Sequence, residues 1–184
     1  MKRLLDVIFS FLALLVLLPL FGAVALVILL DDGRPVFYRQ PRVGKGDELF
    51  CICKFRTMRK GTRNAAARAM KGEDCFTRSG RLLRRLSLDE LPQLWNILAG
   101  EMSFVGPRPL IPEEEEIRTL RAAAGIYELL PGLTGWAQVN GRATLGDDEK
   151  VRLDAEYRQK RTLTMDIQIL LRTAAQVVAA KDVE

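Results

Sequence analysis

Histidine is absent from the 184-residue sequence. This absence excludes catalytic triads and His-based acid–base catalysis, so such chemistry would fall to carboxylates, Lys, Tyr or Cys. Cysteine is scarce as well: Cys51, Cys53 and Cys75 are an odd number, and there is no histidine to complete a zinc site with them. We therefore expect reduced cysteines, as in a cytoplasmic domain.

The balance of charge favours an anionic partner. The formal net charge is +5 and the pI is about 9.3, which suits nucleic acid, an acidic membrane surface or a phosphorylated substrate. The net charge alone does not distinguish among these three kinds of partner. The length and a hydrophobic content of 48% are enough for one domain with a core.

Residues 7–30 carry no charge, and an apolar helix of this length can cross a hydrocarbon core. The run is too long for the apolar region of a cleaved signal peptide, so we expect it to stay attached. Pro19 should bend the helix. Basic residues on both flanks favour a re-entrant hairpin with both ends in the cytoplasm. Ser10 is the only hydroxyl in the run that could satisfy a broken backbone, so the residues alone leave a kinked span equally open.

Two strands are predicted after this segment, at 35–40 and 48–58, with a turn at 44–47. Lys54 and Arg56 would share one strand face, either as a solvated surface or as a pair of cations facing phosphate. Residues 59–80 are basic and rich in small residues. This composition predicts a mobile loop, either an ordinary solvated one or a lid over a phosphorylated substrate.

Asp89 and Glu90 form the centre of the segment 84–109. Pro92 is tolerated only in the first turn of a helix, so a helix covering 91–98 should begin at about Asp89, with Gly100 just after its end. Asp89 would then lie near free N–H groups and upstream arginines, which favour an ionised carboxylate able to attack phosphorus. The alternative is plain helix capping, since Ser87-x-x-Glu90 matches a capping box.

Two further segments carry candidate ligand-binding residues. Pro107 and Pro109 restrict the backbone of Arg108, which limits the entropy lost when its guanidinium binds phosphate. Residues 131–142 contain turn formers and read as a hairpin that could supply backbone N–H groups, Gln138 and Arg142 to a ligand. Helices are expected from Pro112, at 147–161 and at 164–180. The last is amphipathic and could lie against the core or on a membrane.

Six features together resemble the bacterial sugar transferases, specifically the small monotopic phosphoglycosyl transferases, over nearly the whole chain. They are the hydrophobic start that contains Pro19, Lys54-Phe55-Arg56-Thr57-Met58, the segments 84–93, 102–109 and 131–142, and Asp154 with Tyr157. The resemblance implies that Asp89 attacks the β-phosphate of a UDP-sugar, releases UMP and becomes a covalent phosphosugar intermediate. Undecaprenyl phosphate then accepts the phosphosugar, and Mg²⁺ is required.

The resemblance also implies roles for other residues. Glu90 would assist with metal or acceptor handling, which makes Asp89 and Glu90 the candidate metal ligands. The resemblance assigns phosphate or nucleotide contacts to four basic residues, Lys54, Arg84, Arg108 and Arg142. Gln138 is a further substrate-binding candidate. Two positions depart from the family pattern: Leu18 replaces a frequent Ser before the membrane proline, and Arg161-Thr162-Leu163 replaces an Asn-containing pattern.

The implied fold class is α+β, mostly helical with a short β-hairpin. Residues 1–32 would form a re-entrant membrane helix hairpin and 33–184 the catalytic domain, with interfacial amphipathic helices, on the cytoplasmic face of the bacterial inner membrane. The expected partners are a UDP-sugar, undecaprenyl phosphate and membrane lipids, without nucleic acid, and a homodimer is allowed.

Two other functions compete with this interpretation. One is a non-catalytic, membrane-anchored scaffold of the same fold. The other is a basic nucleic-acid binder, which the hydrophobic start argues against. The sequence leaves open whether an N-acetylated or bacillosamine-type sugar, galactose or glucose is transferred.

Overall fold

The computed structural model describes residues 2–60, 75–141 and 144–179. Within these ranges the chain is mostly helical with two small sheets, which confirms the α+β class. The helices are α1 (Lys2–Asp32), α2 (Arg78–Arg85), α3 (Gln93–Ala99), α4 (Glu115–Ala123), α5 (Trp136–Val139), α6 (Asp147–Lys160) and α7 (Leu163–Val178). The strands are β1 (Phe37–Val43), β2 (Leu49–Phe55), β3 (Ser103–Val105) and β4 (Gly132–Thr134).

Helix α1 continues through Pro19 and is long and apolar enough to cross a membrane. One face packs on the rest of the chain, where Val24 and Ile28 join Phe55 and Leu83 in a buried cluster. The opposite face exposes large apolar side chains: Leu4, Ile8, Phe9, Phe11, Leu12, Leu15, Val16, Leu18, Leu26, Val27, Leu29 and Leu30. The helix therefore covers the core with one side and presents the other as a continuous apolar surface.

Both ends of α1 are bonded to the same folded unit. Near the start, the Lys2 Nζ lies 2.7 Å from the Asp166 carboxylate on α7, and Arg3 donates to the carbonyl oxygen of Ile97 at 2.6 Å. At the other end, Asp32 forms an ion pair with Arg56. Because the two ends contact one domain, the helix lies along that domain and does not project from it.

Strands β1 and β2 form the predicted antiparallel hairpin, joined by a 3₁₀ turn at Lys45–Asp47. Tyr38 pairs with Lys54 in its register. The hairpin packs on α3, since Ile52 is buried with Leu94. The three cysteines are free thiols, as expected.

The second sheet corrects the prediction for 131–142. β4 pairs in parallel with β3 and continues into α5, so this segment is not a hairpin with itself. Glycine allows the close pairing: a Cβ on Gly132 would lie 2.1 Å from the backbone nitrogen of Gly106. The sequence showed the glycines but not their distant partner.

The prediction of a loop at 59–80 is wrong for residues 76–80, which form a β-bridge and the start of α2. Met58 forms a β-bridge with Phe76, and the Thr77 side chain accepts from the Gly80 N–H to cap α2. A Cβ on Gly80 would lie 2.1 Å from the Thr57 carbonyl oxygen, so α2 packs directly on the end of the hairpin. Residues 61–74, where the rest of that prediction falls, lie outside the described residues.

Candidate active site

Asp89 lies on a 3₁₀ turn, Leu88–Glu90, between α2 and α3. Ser87 turns the chain into this position with a left-handed backbone (φ 54°), and its side chain makes no cap bond, so the predicted capping box is wrong. Helix α3 begins only at Gln93, after Pro92, and not near Asp89 as predicted. Its end is as expected, since Gly100 adopts φ 98° and donates to the carbonyl oxygens of Asn96 and Ile97.

The Asp89 carboxyl is buried, with 8% of the residue exposed. Burial raises its pKa from 3.8 to about 6, and the neighbouring Glu90 adds to the rise. Lys54 and Arg84 favour the ionised form but do not cancel these effects. The expected depressed pKa is therefore wrong, because the residue lies in the protein interior and not at an open helix terminus.

Glu90 links the hairpin to the 106–109 segment. Its Oε1 lies 2.6 Å from Lys54 Nζ and 3.9 Å from Arg108 Nη2. Both members of the closer pair are partly buried, which strengthens their attraction relative to a surface pair. The structure thus brings Lys54, Glu90 and Arg108 together beside Asp89.

Arg84 approaches the same site from α2. Its guanidinium carbon lies 4.8 Å from the centroid of the Phe76 ring. This cation–π contact holds the side chain while leaving its charge near enough to Asp89 to lower the pKa of that carboxyl. The predicted phosphate role of Arg84 remains compatible with this placement.

Arg56, predicted as a companion of Lys54, has a structural role. Its guanidinium is buried and donates to Asp32 and to the carbonyl oxygens of Gly33 and Pro35. The strand β2 ends at Phe55, so the alternation that would have aligned Arg56 with Lys54 stops there. Arg56 anchors the end of α1 and is not available to bind substrate.

Among the described residues, Gln138 does not join the cluster. The Gln138 amide on α5 donates to the carbonyl oxygen of Leu133 at 3.2 Å, and its buried Oε1 has no hydrogen-bond partner among these residues. Arg142 lies outside the described residues.

Arg42 was missed by the sequence analysis. Its guanidinium donates to the carbonyl oxygen of Pro109 at 3.2 Å and to the Gln40 side chain at 2.8 Å. Burial lowers its pKa, and the nearby positive charge of Arg108 adds to the effect. The alternation of Tyr38, Gln40 and Arg42 in β1 was the available signal, since it places these residues on one strand face.

Two carboxylates are consistent with a magnesium site that also uses substrate oxygens. The described residues contain no group of three or more potential metal-ligating side chains. Mg²⁺ is commonly held by one or two carboxylates together with substrate phosphates. The adjacent Asp89 and Glu90 fit that donor set.

Comparison with known proteins gives the same family over the chain. The model of the bacterial sugar transferases matches residues 1–180. An uncharacterized sugar transferase, EpsL, of Bacillus subtilis is 39% identical over 86% of this chain and 77% of its own length. The UDP-glucose:undecaprenyl-phosphate glucose-1-phosphate transferase of Caulobacter vibrioides is 41% identical over 96% of this chain and 69% of its own.

The exopolysaccharide production protein ExoY of Sinorhizobium fredii is 39% identical over 98% of this chain and 86% of its own length. Other relatives are longer, and the chain spans as little as 36% of their length. The family match extends from α1 through the Asp89 cluster to α7, so the chain belongs to the bacterial sugar transferase family.

Proposed function

We propose that this chain transfers a sugar 1-phosphate from a UDP-sugar to undecaprenyl phosphate and releases UMP. The names of relatives such as the Caulobacter transferase support this reaction class. The observation that carries the proposal is the buried Asp89 carboxyl, which has a pKa raised to about 6 and lies in a cluster with Lys54, Arg84 and Arg108. A binding scaffold would not require a destabilised carboxylate among cations.

The first step uses Asp89 as the nucleophile. An ionised carboxylate oxygen bonds to the β-phosphorus of the UDP-sugar, and the bond from that phosphorus to the oxygen bridging the two phosphates breaks. UMP leaves with that oxygen and its electron pair. The phosphosugar stays on Asp89 as an acyl phosphate.

The second step regenerates the enzyme. A phosphate oxygen of undecaprenyl phosphate bonds to the same phosphorus, and the bond from phosphorus to Asp89 breaks. The products are undecaprenyl diphosphate sugar and a free carboxylate. Asp89 must be ionised to attack in the first step, and it leaves again as a carboxylate in the second.

The surrounding cations have defined tasks in this scheme. Arg108 is 54% exposed in its side chain and can reach a diphosphate in solution, whereas Lys54 is largely enclosed and holds Glu90. Such preorganised charges stabilise the charge that develops during transfer. Mg²⁺ held by Asp89, Glu90 and substrate oxygens would supply further neutralisation.

Helix α1 supports placement at the membrane. We assign its exposed apolar face to the bilayer and both of its ends to the cytoplasmic face, since Lys2 and Asp32 bind the same domain. Both ends then lie on one side of the bilayer, as the re-entrant interpretation requires, although α1 is one helix that continues through Pro19. The outer face of α2, with exposed Arg81, Leu82 and Arg85, has the mixed basic and apolar character of a helix lying at the interface.

Cysteine labelling tests this topology in intact inner-membrane vesicles. In a Lys2→Cys variant, the introduced thiol should react only from the side of the membrane that also exposes the native Cys51. Reaction of the Lys2 cysteine from the opposite side would show a spanning helix and overturn the re-entrant assignment.

The decisive experiment compares wild type with Asp89→Asn in detergent or nanodiscs, with Mg²⁺ and a radiolabelled UDP-sugar. UDP-glucose is tried first, followed by UDP-linked N-acetylated sugars and galactose. The wild type should release UMP and retain label on the protein before undecaprenyl phosphate is added, whereas Asp89→Asn should do neither. Asp148→Asn, at an exposed position, is the matched control. Label retention or full UMP release by Asp89→Asn would exclude the mechanism.

A further inference from the structure

The backbone around Arg108 is bonded at successive carbonyl groups. The Pro107 carbonyl oxygen accepts from the Gly132 N–H at 2.8 Å, and the Leu110 carbonyl oxygen accepts from the Val43 N–H at 2.9 Å. Between them, the Pro109 carbonyl oxygen accepts from Arg42. The carbonyl oxygen of Arg108 itself accepts from Arg121 Nη1 at 2.7 Å.

Arg121, on α4, is buried together with its counterion. It is 4% exposed, and its Nη2 lies 2.6 Å from the carboxylate of Asp154 on α6, which is 2% exposed. One guanidinium therefore binds the interior of the helical layer and the backbone of the active-site segment at the same time. The planar guanidinium has two separate NH₂ groups, so Arg121 can donate to Asp154 and to the Arg108 carbonyl in one side-chain conformation.

A buried ion pair is a costly way to stabilise a fold. Taking both charges out of water can outweigh their attraction, and apolar residues of similar volume often do as well or better. Stability alone is therefore a weak reason to retain this pair, whereas the backbone bond to Arg108 requires the guanidinium.

We propose that Arg121, oriented by Asp154, is a positioning residue that fixes the Arg108 carbonyl and so directs the Arg108 side chain toward Glu90 and the diphosphate of the sugar donor. This inference rests on the proposed function. Without Arg121, the Arg108 carbonyl would lose the bond that holds it, and its backbone could vary over the range that the two prolines still allow. Donor binding should weaken because that freedom must be lost when the donor binds.

The test separates positioning from stability with the double variant Arg121→Met/Asp154→Leu in the full-length chain. Removing both charges should leave the melting temperature near that of the wild type. The KM for UDP-sugar should rise by about 10-fold, with kcat changed much less. A melting temperature near that of the wild type together with an unchanged KM would overturn the proposal.

A double-mutant cycle with Arg108→Ala identifies the route of the effect. If Arg121 acts through Arg108, adding Arg121→Met/Asp154→Leu to Arg108→Ala should raise the KM no further. Independent, multiplying effects would contradict the proposal. Arg158→Met, which removes a surface ion pair with Glu128, is the control and should leave the KM unchanged.

A conservative variant covers the case in which the double variant does not fold. Arg121→Lys keeps the charge opposite Asp154 but lacks the fork that reaches Arg108, so an intermediate KM is expected. A KM equal to that of the wild type would count against the proposal. If Arg108→Ala alone leaves the KM unchanged, the positioning role fails, while UMP release by the wild type would still uphold the proposed function.

Discussion

Asp89 and Asp154 are both buried carboxyls, and they differ in what lies beside them. Asp154 accepts from Arg121 at 2.6 Å, so its charge has a direct counterion. Asp89 has no ion pair within 4.0 Å in the described part of the chain, although Lys54 and Arg84 act on it at longer range. The comparison shows that the charge of Asp154 is compensated by a direct ion pair, whereas that of Asp89 is compensated only by cations at longer range.

The largest expected effect comes from Asp89→Asn. UMP release should fall by about 10⁴-fold or more, as is typical when a nucleophile is removed. The rate of UMP release with UDP-sugar and Mg²⁺ measures this loss. A residual rate close to that of the wild type would place the nucleophile elsewhere.

The same variant should be more stable than the wild type at neutral pH. The folded protein binds a proton at Asp89 more tightly than the unfolded chain, because the pKa rises from 3.8 to about 6. The resulting destabilisation is present above pH 6 and fades as the pH falls toward 4. Asp89→Asn should therefore gain roughly 1–3 kcal/mol above about pH 7, and less near about pH 5. Unfolding by denaturant at both values checks this, and an equal gain at the two would contradict it.

Asp154→Ala should lower the free energy of unfolding, the opposite of the change expected for Asp89→Asn. It leaves the Arg121 charge buried without a counterion, which typically costs about 3–5 kcal/mol. Unfolding by urea or heat should show this loss, and the exposed Asp148→Asn variant should show almost none. A stable Asp154→Ala protein would remove the contrast between the two carboxyls.

Local sequence patterns predicted the parts of the fold that depend on periodicity and turns. The β1–β2 hairpin, α6 and α7 lie within a few residues of their predicted bounds. The parallel pairing of β3 with β4 could not be predicted in this way, because it joins residues about 30 positions apart. The local sequence pattern around either strand does not reveal a partner at that separation.

The candidate active site shows the same difference between features that local sequence patterns predict and features that depend on distant residues. Asp89, Glu90, Lys54 and Arg108 were proposed as site residues from sequence, and they lie together in the structure. The direction of the Asp89 pKa shift could not be found, because it depends on burial by distant elements. Arg42 and Arg121, which hold the active-site backbone, are equally hard to see, since their partners are 67 and 13 residues away.

Glu90→Gln tests how far the second carboxylate raises the pKa of Asp89. Removing its charge should move the acid limb of the pH profile of UMP release to lower pH, because Glu90 is the largest electrostatic contributor to the rise. The position of the limb is the measurement, since the height of the profile also reports any metal role of Glu90. A limb at unchanged pH would mean that another group controls it.

Lys54→Met should move the acid limb of the pH profile of UMP release to higher pH, by less than Glu90→Gln lowers it. Lys54 lowers the pKa of Asp89, and its loss raises that pKa further. UMP release near about pH 6 should then fall by a few-fold relative to wild type. A shift toward lower pH would show that Lys54 acts mainly by restraining Glu90.

The way α1 is held at both ends has a practical consequence for anyone handling this enzyme. Trimming residues 2–32 to obtain a water-soluble fragment would strip the cover from Phe55, Leu83, Ile97 and their neighbours. Such a fragment should precipitate. With α1 placed in the bilayer as proposed above, the domain packed on it would reach a lipid substrate by lateral diffusion in the membrane plane.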